Sequence, residues 1–332
     1  MKTPRPTGAG FFIAQQTGGA CPPDPIERGM TQTTQTRINR ASWATMVFLA
    51  LIWGGSFLSI RMALEEVGVL TTVALRVGLA GVALWAYVLW RRLPVPSGGR
   101  WLMSCLFLGL FNNIIPFCLI VWGQTHIPSG LAGILNASNV IFSVGLAALI
   151  FRDERLTAHK SIGIVLGLAG VALTIGPGVL HDLDLTSLGQ IAILGASLSY
   201  ALSSIYSRHA LRDVRPEVVA AGMLTVSSLA MIPAAIWVEG VPTFDYSLKT
   251  WGAVLYISLL SSAFAYILFY RVLQTAGAGN VSLVTLMIAP VAVVLGALTY
   301  NEALPPAAYL GLALLALGML VIDGRIFRVK PR

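Results

Sequence analysis

Charge is what this sequence lacks most. Only 11% of its 332 residues are Asp, Glu, Lys or Arg, whereas 56% are apolar and the mean hydropathy is +0.78. A soluble domain of this size carries about 25% charged residues. The apolar residues form repeated runs near the ~20 residues that cross a bilayer, instead of one face of a water-exposed helix. The composition therefore predicts an all-α membrane protein with several spans.

Signatures of catalysis and of bound cofactors are also missing. The sequence contains no GxxxxGK[ST] motif for ATP, no HxxxH, no CxxC and no paired carboxylates. Its four histidines fall in predicted loops or at helix ends. We therefore expect no enzyme, no metal site and no cofactor. A membrane-embedded enzyme that acts on lipid-linked groups stays open as an alternative, although such chemistry needs acid/base or metal-binding groups close together.

The number of cysteines and the distribution of basic residues argue against a disulfide-stabilised protein and against a nucleic-acid-binding protein. Three cysteines provide no disulfide framework. The net charge of +8 is scattered between the apolar runs and not gathered on one face, so we expect no nucleic-acid partner. Instead, 19 of the 22 Lys and Arg residues fall on the side of the N-terminus and two on the opposite side. By the positive-inside rule, this bias predicts that both termini are cytoplasmic.

Ten apolar segments are predicted to span the membrane. Their predicted bounds are 44–63, 70–90, 102–123, 128–151, 160–177, 187–207, 217–238, 251–272, 279–300 and 305–322. Residues 1–42 are rich in Thr, Gln, Pro, Gly and Arg and are predicted to form a disordered cytoplasmic tail. Residues 326–332 form a short cytoplasmic C-terminal tail.

The second half of the chain repeats the first. Gln124-Thr125 is matched by Gln274-Thr275, 150 positions later, and Glu154-Arg155-Leu156 is matched by Glu302-Ala303-Leu304, 148 positions later. Five segments per copy is an odd number, so the second copy enters the membrane from the opposite side. Inverted repeats are typical of carriers that expose a mid-membrane site to each face in turn. The predicted repeats are residues 43–180 and 181–325.

Five motifs lie in register with one known family. They are Ile52-Trp53-Gly54-Gly55-Ser56-Phe57, Asn112-Asn113-x-x-Pro116-Phe117, Leu135-Asn136-Ala137-Ser138, Asp153-Glu154-Arg155-Leu156-Thr157 and Thr275-Ala276-Gly277-Ala278-Gly279-Asn280. Over residues 44–325 the chain resembles EamA-type permeases of the drug/metabolite transporter superfamily. The resemblance implies a multi-pass inner-membrane transporter that exports small metabolites. The sequence departs from the family at Val140, where the fourth helix often has a proline, whereas the ninth helix keeps Pro290.

Arg76 is the one charge well inside an apolar segment, and no Asp or Glu lies at a comparable depth. A buried charge in a helical bundle costs several kcal/mol unless it faces a cavity, carbonyl groups or an anion. Two interpretations stay open. Arg76 binds a substrate carboxylate or locks helices together, or it is a structural arginine bonded to carbonyl groups.

Other polar and aromatic side chains are candidates to line a substrate site. Aromatic walls with few polar contacts suit small amphipathic solutes such as amino acids. Amides and serines also serve as ordinary contacts between membrane helices, so packing is the alternative for each of them. Besides Arg76, the candidate substrate-binding residues are Trp53, Ser56, Asn112, Asn113, Asn136, Asn139, Tyr200 and Tyr266.

Gating and assembly are predicted from prolines, carboxylates and glycines. Prolines kink helices, so the predicted bend points are Pro116, Pro233 and Pro290. Glu154 and Glu302 end the fourth and ninth segments and form a candidate pair of gate residues. Gly163, Gly167 and Gly170 form a small-residue face in segment five, which predicts either a scaffold contact or a homodimer through segments five and ten.

The expected partners are therefore a small-molecule substrate and the lipid bilayer. A passive facilitator stays open as an alternative to a driven carrier, because no intramembrane carboxylate is available to carry a proton.

Overall fold

A computed structural model describes residues 40–150, 157–175, 185–210, 214–276 and 278–323. Over these ranges the chain is helical and contains no strand. The helices are α1 (Arg40–Ala63), α2 (Val69–Trp90), α3 (Gly99–Leu108), α4 (Ile115–Gly123), α5 (Ser129–Asn136), α6 (Asn139–Ile150), α7 (Ala158–Ile175), α8 (Leu185–Ala210), α9 (Pro216–Glu239), α10 (Leu248–Leu255), α11 (Ala265–Ala276), α12 (Ala278–Tyr300) and α13 (Pro306–Asp323). Two π-helical segments, π1 (Gly109–Ile114) and π2 (Tyr256–Phe264), join α3 to α4 and α10 to α11.

Eight helical stretches within the described ranges are long and apolar enough to cross a bilayer. α12 and α13 supply two shorter apolar helices, Met287–Tyr300 and Pro306–Ile322. The helices begin and end within a few residues of the predicted segments, and the all-α prediction is confirmed. The count of ten spans stays a prediction. Glu154 and most of both predicted tails lie outside the described residues.

Local chemistry explains where the helices begin and end. α9 begins with Pro216, whose missing N–H is no loss in the first turn of a helix. It ends before Gly240, which adopts a φ of 85° that favours glycine. The Ser247 hydroxyl accepts a hydrogen bond from the Thr250 amide at 3.2 Å and caps α10.

The principal helix contacts join the first half of the chain to the second. α2 packs along α9, α1 along α12, and α4 and α6 along α8. The π segments follow the same rule, since π2 contacts α2 and π1 contacts α9. The core of the bundle is therefore the interface between the two halves.

α7 and α13 form a separate pair that is packed through glycine. A Cβ atom added to Gly170 would lie 2.7 Å from the Gly311 carbonyl oxygen, and one added to Gly163 would lie 2.6 Å from the Gly318 carbonyl oxygen. Such close backbone approach requires small residues. The predicted glycine face thus serves a contact within the chain. The predicted homodimer is untested, and it would have to use the outer faces of these two helices.

Glu65, Glu66, Glu239 and Glu302 lie together with several helix ends, and we call this region the glutamate end. Here Glu239, at the end of α9, accepts hydrogen bonds from the Leu70 and Thr71 amides at the start of α2, each at 2.8 Å. α2 and α9 therefore run antiparallel along each other.

Candidate functional site

Arg76 lies on α2 with only 6% of its surface exposed. Its Nε donates a hydrogen bond to the Ser262 hydroxyl in π2 at 3.0 Å. Its guanidinium carbon lies 3.8 Å from the centre of the Phe117 ring, a cation–π contact. Within the described ranges no carboxylate pairs with Arg76, and its two terminal nitrogens have no hydrogen-bond partner. Arg76 is thus a buried cation with no counter-ion among the described residues.

Aromatic side chains adjoin this cation. The Trp53 indole donates to the Ser261 carbonyl oxygen at 3.1 Å, next to the serine that binds Arg76. Tyr200 and Tyr266 are within electrostatic reach of the guanidinium. Trp53, Tyr200 and Tyr266 all pack against the core yet keep part of their surface exposed. Three predicted aromatic residues therefore share one region with Arg76.

The amides of π1 form a hydrogen-bonded chain with Tyr266. Asn112 donates to the Tyr266 hydroxyl at 3.2 Å, and that hydroxyl donates to the Asn113 side-chain oxygen at 3.1 Å. The chain continues at both ends, because Asn113 donates to Ser227 at 3.1 Å and Ser203 donates to Asn112 at 2.9 Å. Four elements, α8, π1, α11 and α9, are joined in this way.

The two neighbouring amides differ in accessibility. Asn113 is fully buried, at 0% exposure, whereas Asn112 is half-buried. Asn113 is therefore a packing contact between helices, whereas Asn112 keeps part of its surface accessible. Adjacent residues of a helix point in directions about 100° apart, so the two amides cannot both face one site.

The π segments explain why serines collect here. A π turn leaves backbone carbonyl groups without their usual helical donors, and buried carbonyls need partners. Ser199 donates to the Phe111 carbonyl at 2.6 Å, and Ser227 donates to the Gly109 carbonyl at 3.1 Å. In π2 the Ser262 hydroxyl donates to the Ile257 carbonyl, five residues back, at 2.8 Å.

Asn136 and Asn139 lie on either side of a helix break. α5 ends at Asn136 and α6 begins at Asn139, with a turn at Ala137-Ser138. The Ser197 hydroxyl of α8 reaches the Asn136 carbonyl oxygen at 3.3 Å, while the buried side-chain oxygen of Asn136 has no partner among the described residues. Asn139 accepts from Ser143 in its own helix at 3.2 Å. Asn136 is the better ligand candidate of the two.

Ser56 is a packing residue. Its hydroxyl donates to the Trp53 carbonyl in the same helix at 2.6 Å, and only 6% of the residue is exposed. The contact uses its only donor hydrogen.

The predicted bend points have different surroundings. Pro116 is buried and is the second residue of α4, just after π1, whose wider turn accommodates a residue that has no N–H. Pro233 and Pro290 are exposed and lie inside α9 and α12, which continue past them. The helical segment of α5 and α6 is interrupted just before Val140, although this position has no proline. α12, in contrast, is continuous although it contains Pro290.

The four glutamates of the glutamate end contact basic side chains or helix termini. Glu302, with a side chain 5% exposed, pairs with Arg61 at 3.3 Å and accepts from the Ser129 and Gly130 amides, each at 3.0 Å. It therefore binds α1 to the start of α5, where a negative charge is favoured. Lys249 pairs with Glu65 at 2.7 Å, and Tyr300 also donates to Glu65. The Lys249 hydrogen bond lowers the pKa of Glu65 below its usual range.

A groove of about 860 Å³ runs between α2 and α9. Gly78, Val82 and Leu229 are among the residues that line it, and Arg76 is not. Val82 and Leu229 are exposed on the outside of the bundle. The groove has the character of a lipid-facing surface.

Sequence reasoning does not single out several residues that contact the candidate site. Ser262 and Ser203 have no distinguishing pattern in the sequence, and Phe117 appears only within a family motif. Ser227 carried no signal, since a serine in an apolar helix is common. Only the register of the two halves reveals these contacts.

These contacts describe a helical bundle that holds polar groups between its halves. The sequence profile of the EamA-like transporter family matches residues 41–176 and again residues 187–323. The chain belongs to the EamA-like transporter family. It is a multi-pass membrane protein, and several of its relatives are named transporters or exporters.

Three relatives and one solved structure illustrate the likeness. A probable terminal-alkyne amino-acid exporter of Streptantibioticus cattleyicolor is 28% identical over 295 residues, which cover 87% of this chain and 95% of the relative. The uncharacterized inner membrane transporter YedA of Escherichia coli is 27% identical over 289 residues, covering 85% and 91%. The uncharacterized transporter YoaV of Bacillus subtilis is 21% identical over 274 residues, covering 82% and 94%. One crystal structure, 20% identical, has a TM-score of 0.62 and covers 88% of this chain and 100% of its own, and thus shares the fold.

Proposed function

We propose that this EamA-family member exports small metabolites, amino acids or related compounds, across the inner membrane by alternating access. The observation that carries the proposal is Arg76, a buried cation whose terminal nitrogens are unpaired within the described ranges. A substrate carboxylate is the anion best suited to such a site, because guanidinium and carboxylate form two parallel hydrogen bonds. Trp53, Tyr200, Tyr266 and Asn112 supply the remaining surface for the substrate.

The position of the site at the interface between the halves supports this mechanism. Arg76 contacts Ser262, Trp53 contacts Ser261, and the amides of π1 contact Tyr266 and Ser227. Each of these contacts joins the first half to the second. A site that both halves build changes its exposure when one half moves against the other.

Two observations support ten spans arranged as inverted five-helix repeats. The same family profile matches each half of the chain. α2 and α9, which hold equivalent places in the two halves, run antiparallel. With both termini cytoplasmic, as the charge bias predicts, the glutamate end faces outward.

The glutamate end is the outer gate in its closed position. Glu302 and Arg61 join the ends of α1 and α12 to the start of α5. Opening toward the outside would break this ion pair, and Glu154 is the candidate for the equivalent role at the cytoplasmic end. Pro116, Pro233 and Pro290 remain the proposed bend points.

A facilitator that lets substrate move down its gradient is the second candidate. Within the described ranges, the acidic residues lie at helix ends or in loops. Examples are Glu217 in the first turn of α9 and Glu239 in its last turn. A proton-coupled carrier needs an acidic group that reaches the substrate site.

Export by cells tests the proposal. Cells that overexpress the chain are grown with toxic amounts of single amino acids and related carboxylates, and efflux is then measured in loaded cells. We expect faster efflux and better growth for at least one compound than with an empty vector. Leu298→Ala, at an exposed position of α12, is the control for expression and should behave as wild type. Equal efflux by wild type and vector for every compound would contradict the proposal.

A further inference from the structure

We propose that Ser262 and Phe117 are positioning residues that aim Arg76 at a carboxylate and so make the site selective for anionic substrates. The inference rests on the proposed function and assigns a role to two residues outside the predicted site. It begins with the two groups that contact the guanidinium, the Ser262 hydroxyl and the Phe117 ring.

The Ser262 hydroxyl acts as a fixed acceptor. A serine hydroxyl has a single hydrogen to donate, and the Ile257 carbonyl takes it at 2.8 Å. The oxygen that remains faces Nε of Arg76 at 3.0 Å and accepts its hydrogen. Because Ser262 is only 1% exposed, water does not compete for this contact. The π turn thus fixes the hydroxyl, and the hydroxyl fixes Nε.

Phe117 fixes the plane of the guanidinium. Its ring centre lies 3.8 Å from the guanidinium carbon, and only 3% of Phe117 is exposed. Ser262 holds Nε at one edge of the guanidinium, and the Phe117 ring covers one of its faces. The two terminal nitrogens then point away from Nε side by side, like the prongs of a fork. That fork matches two oxygens of one carboxylate. An amide or ester in place of the carboxylate offers a single good acceptor and no charge.

Ser261 provides a matched control. It is the preceding residue in π2, it is equally buried at 2% exposure, and its hydroxyl has no partner within the described ranges. Replacement of either serine by alanine removes one hydroxyl from the same segment. Only Ser262→Ala removes the acceptor for Arg76.

The test uses full-length protein in proteoliposomes. Uptake is measured for the twenty L-amino acids, for acetate, butyrate and benzoate, and for the amide of each transported acid. For the best carboxylate we expect Ser262→Ala to raise KM about tenfold with little change in kcat, as loss of one hydrogen bond to a charged group implies. The preference for acid over amide should fall by a similar factor. Ser261→Ala should keep wild-type KM, and Ser262→Thr should restore most of the preference.

The outcomes separate this inference from the proposed function. If Ser262→Ala and Ser261→Ala behave alike while Arg76→Ala abolishes uptake, Ser262 has no positioning role and the proposed function stands. If Arg76→Ala transports normally, both the carboxylate site and its positioning are overturned. If wild type transports an acid and its amide equally well, the site has no preference for an anion and the inference fails although the chain remains a carrier.

Discussion

Two regions of the molecule treat positive charge in opposite ways. At the glutamate end, Arg61 pairs with Glu302 and Lys249 pairs with Glu65. In the interior, Arg76 has a hydroxyl and an aromatic ring as neighbours and no carboxylate within the described ranges. A buried ion is expensive without a counter-charge, so the protein has a reason to pair every charge it can. We propose that the paired charges hold the bundle closed and that the unpaired Arg76 binds the substrate.

The largest effect is expected from Arg76→Ala. Loss of two hydrogen bonds to a charged carboxylate should reduce uptake by roughly 100-fold or more, since each contributes about 1.5–3 kcal/mol. Arg76→Lys should recover little, because an ammonium group cannot form the fork. Initial rates of uptake in proteoliposomes provide the measurement. Normal uptake rates for Arg76→Ala would show that the unpaired interior charge does not bind the substrate.

Glu302→Ala should have the next largest effect. It removes the cap of α5 and the partner of Arg61, so we expect a loss of about 0.5–2 kcal/mol in stability together with altered transport. Glu239→Ala is the control, because it also removes a helix cap but has no ion pair with Arg61. Thermal unfolding and uptake are measured for both variants. Equal loss of transport in both would show that capping alone matters.

Asn112 and Asn113 test accessibility inside the site. Asn113→Ala removes the acceptor of the Tyr266 hydroxyl hydrogen and the amide that donates to Ser227, both in the core, so it should cost roughly 1 kcal/mol in stability. Asn112→Ala should unfold close to the wild-type temperature and raise KM severalfold, since Asn112 is half-buried. Unfolding curves and uptake kinetics are measured for both variants. A raised KM for Asn113→Ala together with a loss of stability for Asn112→Ala would contradict the assignment of Asn112 to the substrate site.

The smallest effect is a pH dependence at Glu65. The folded protein lowers the pKa of Glu65 from a model-peptide value of 4.5, chiefly through the Lys249 hydrogen bond. A lowered pKa stabilises the folded state above pH 4.5, and that contribution disappears as the pH falls through the folded value. Glu65→Gln should therefore be slightly less stable than wild type at pH 7 and equal to it in strong acid. A constant difference across that range would contradict the assignment.

The sequence was most informative where periodicity and composition carry the signal. Apolar runs of about 20 residues predicted the helices, and the duplication pointed to paired halves. Arg76, Trp53, Tyr200 and Tyr266 were selected because polar or aromatic groups in apolar helices are unusual, and the structure brings them together.

Other features depend on contacts that no local pattern reports. Neither π segment was predicted, because a π turn differs from an α turn by one residue and leaves no compositional mark. Ser56 and Asn139 have the same residue types as true site members, yet they bond within their own helices. The register of one half against the other decides which serine or amide meets Arg76.

Accessibility of Asn112 tests the central claim most directly. Asn112→Cys is made in a variant whose three native cysteines are replaced, and it is labelled with a membrane-impermeant thiol reagent in sealed right-side-out and inside-out vesicles. A site between two moving halves predicts labelling from both sides, slowed in each case by a transported carboxylate. Labelling from one side alone, or labelling that substrate leaves unchanged, would contradict the account.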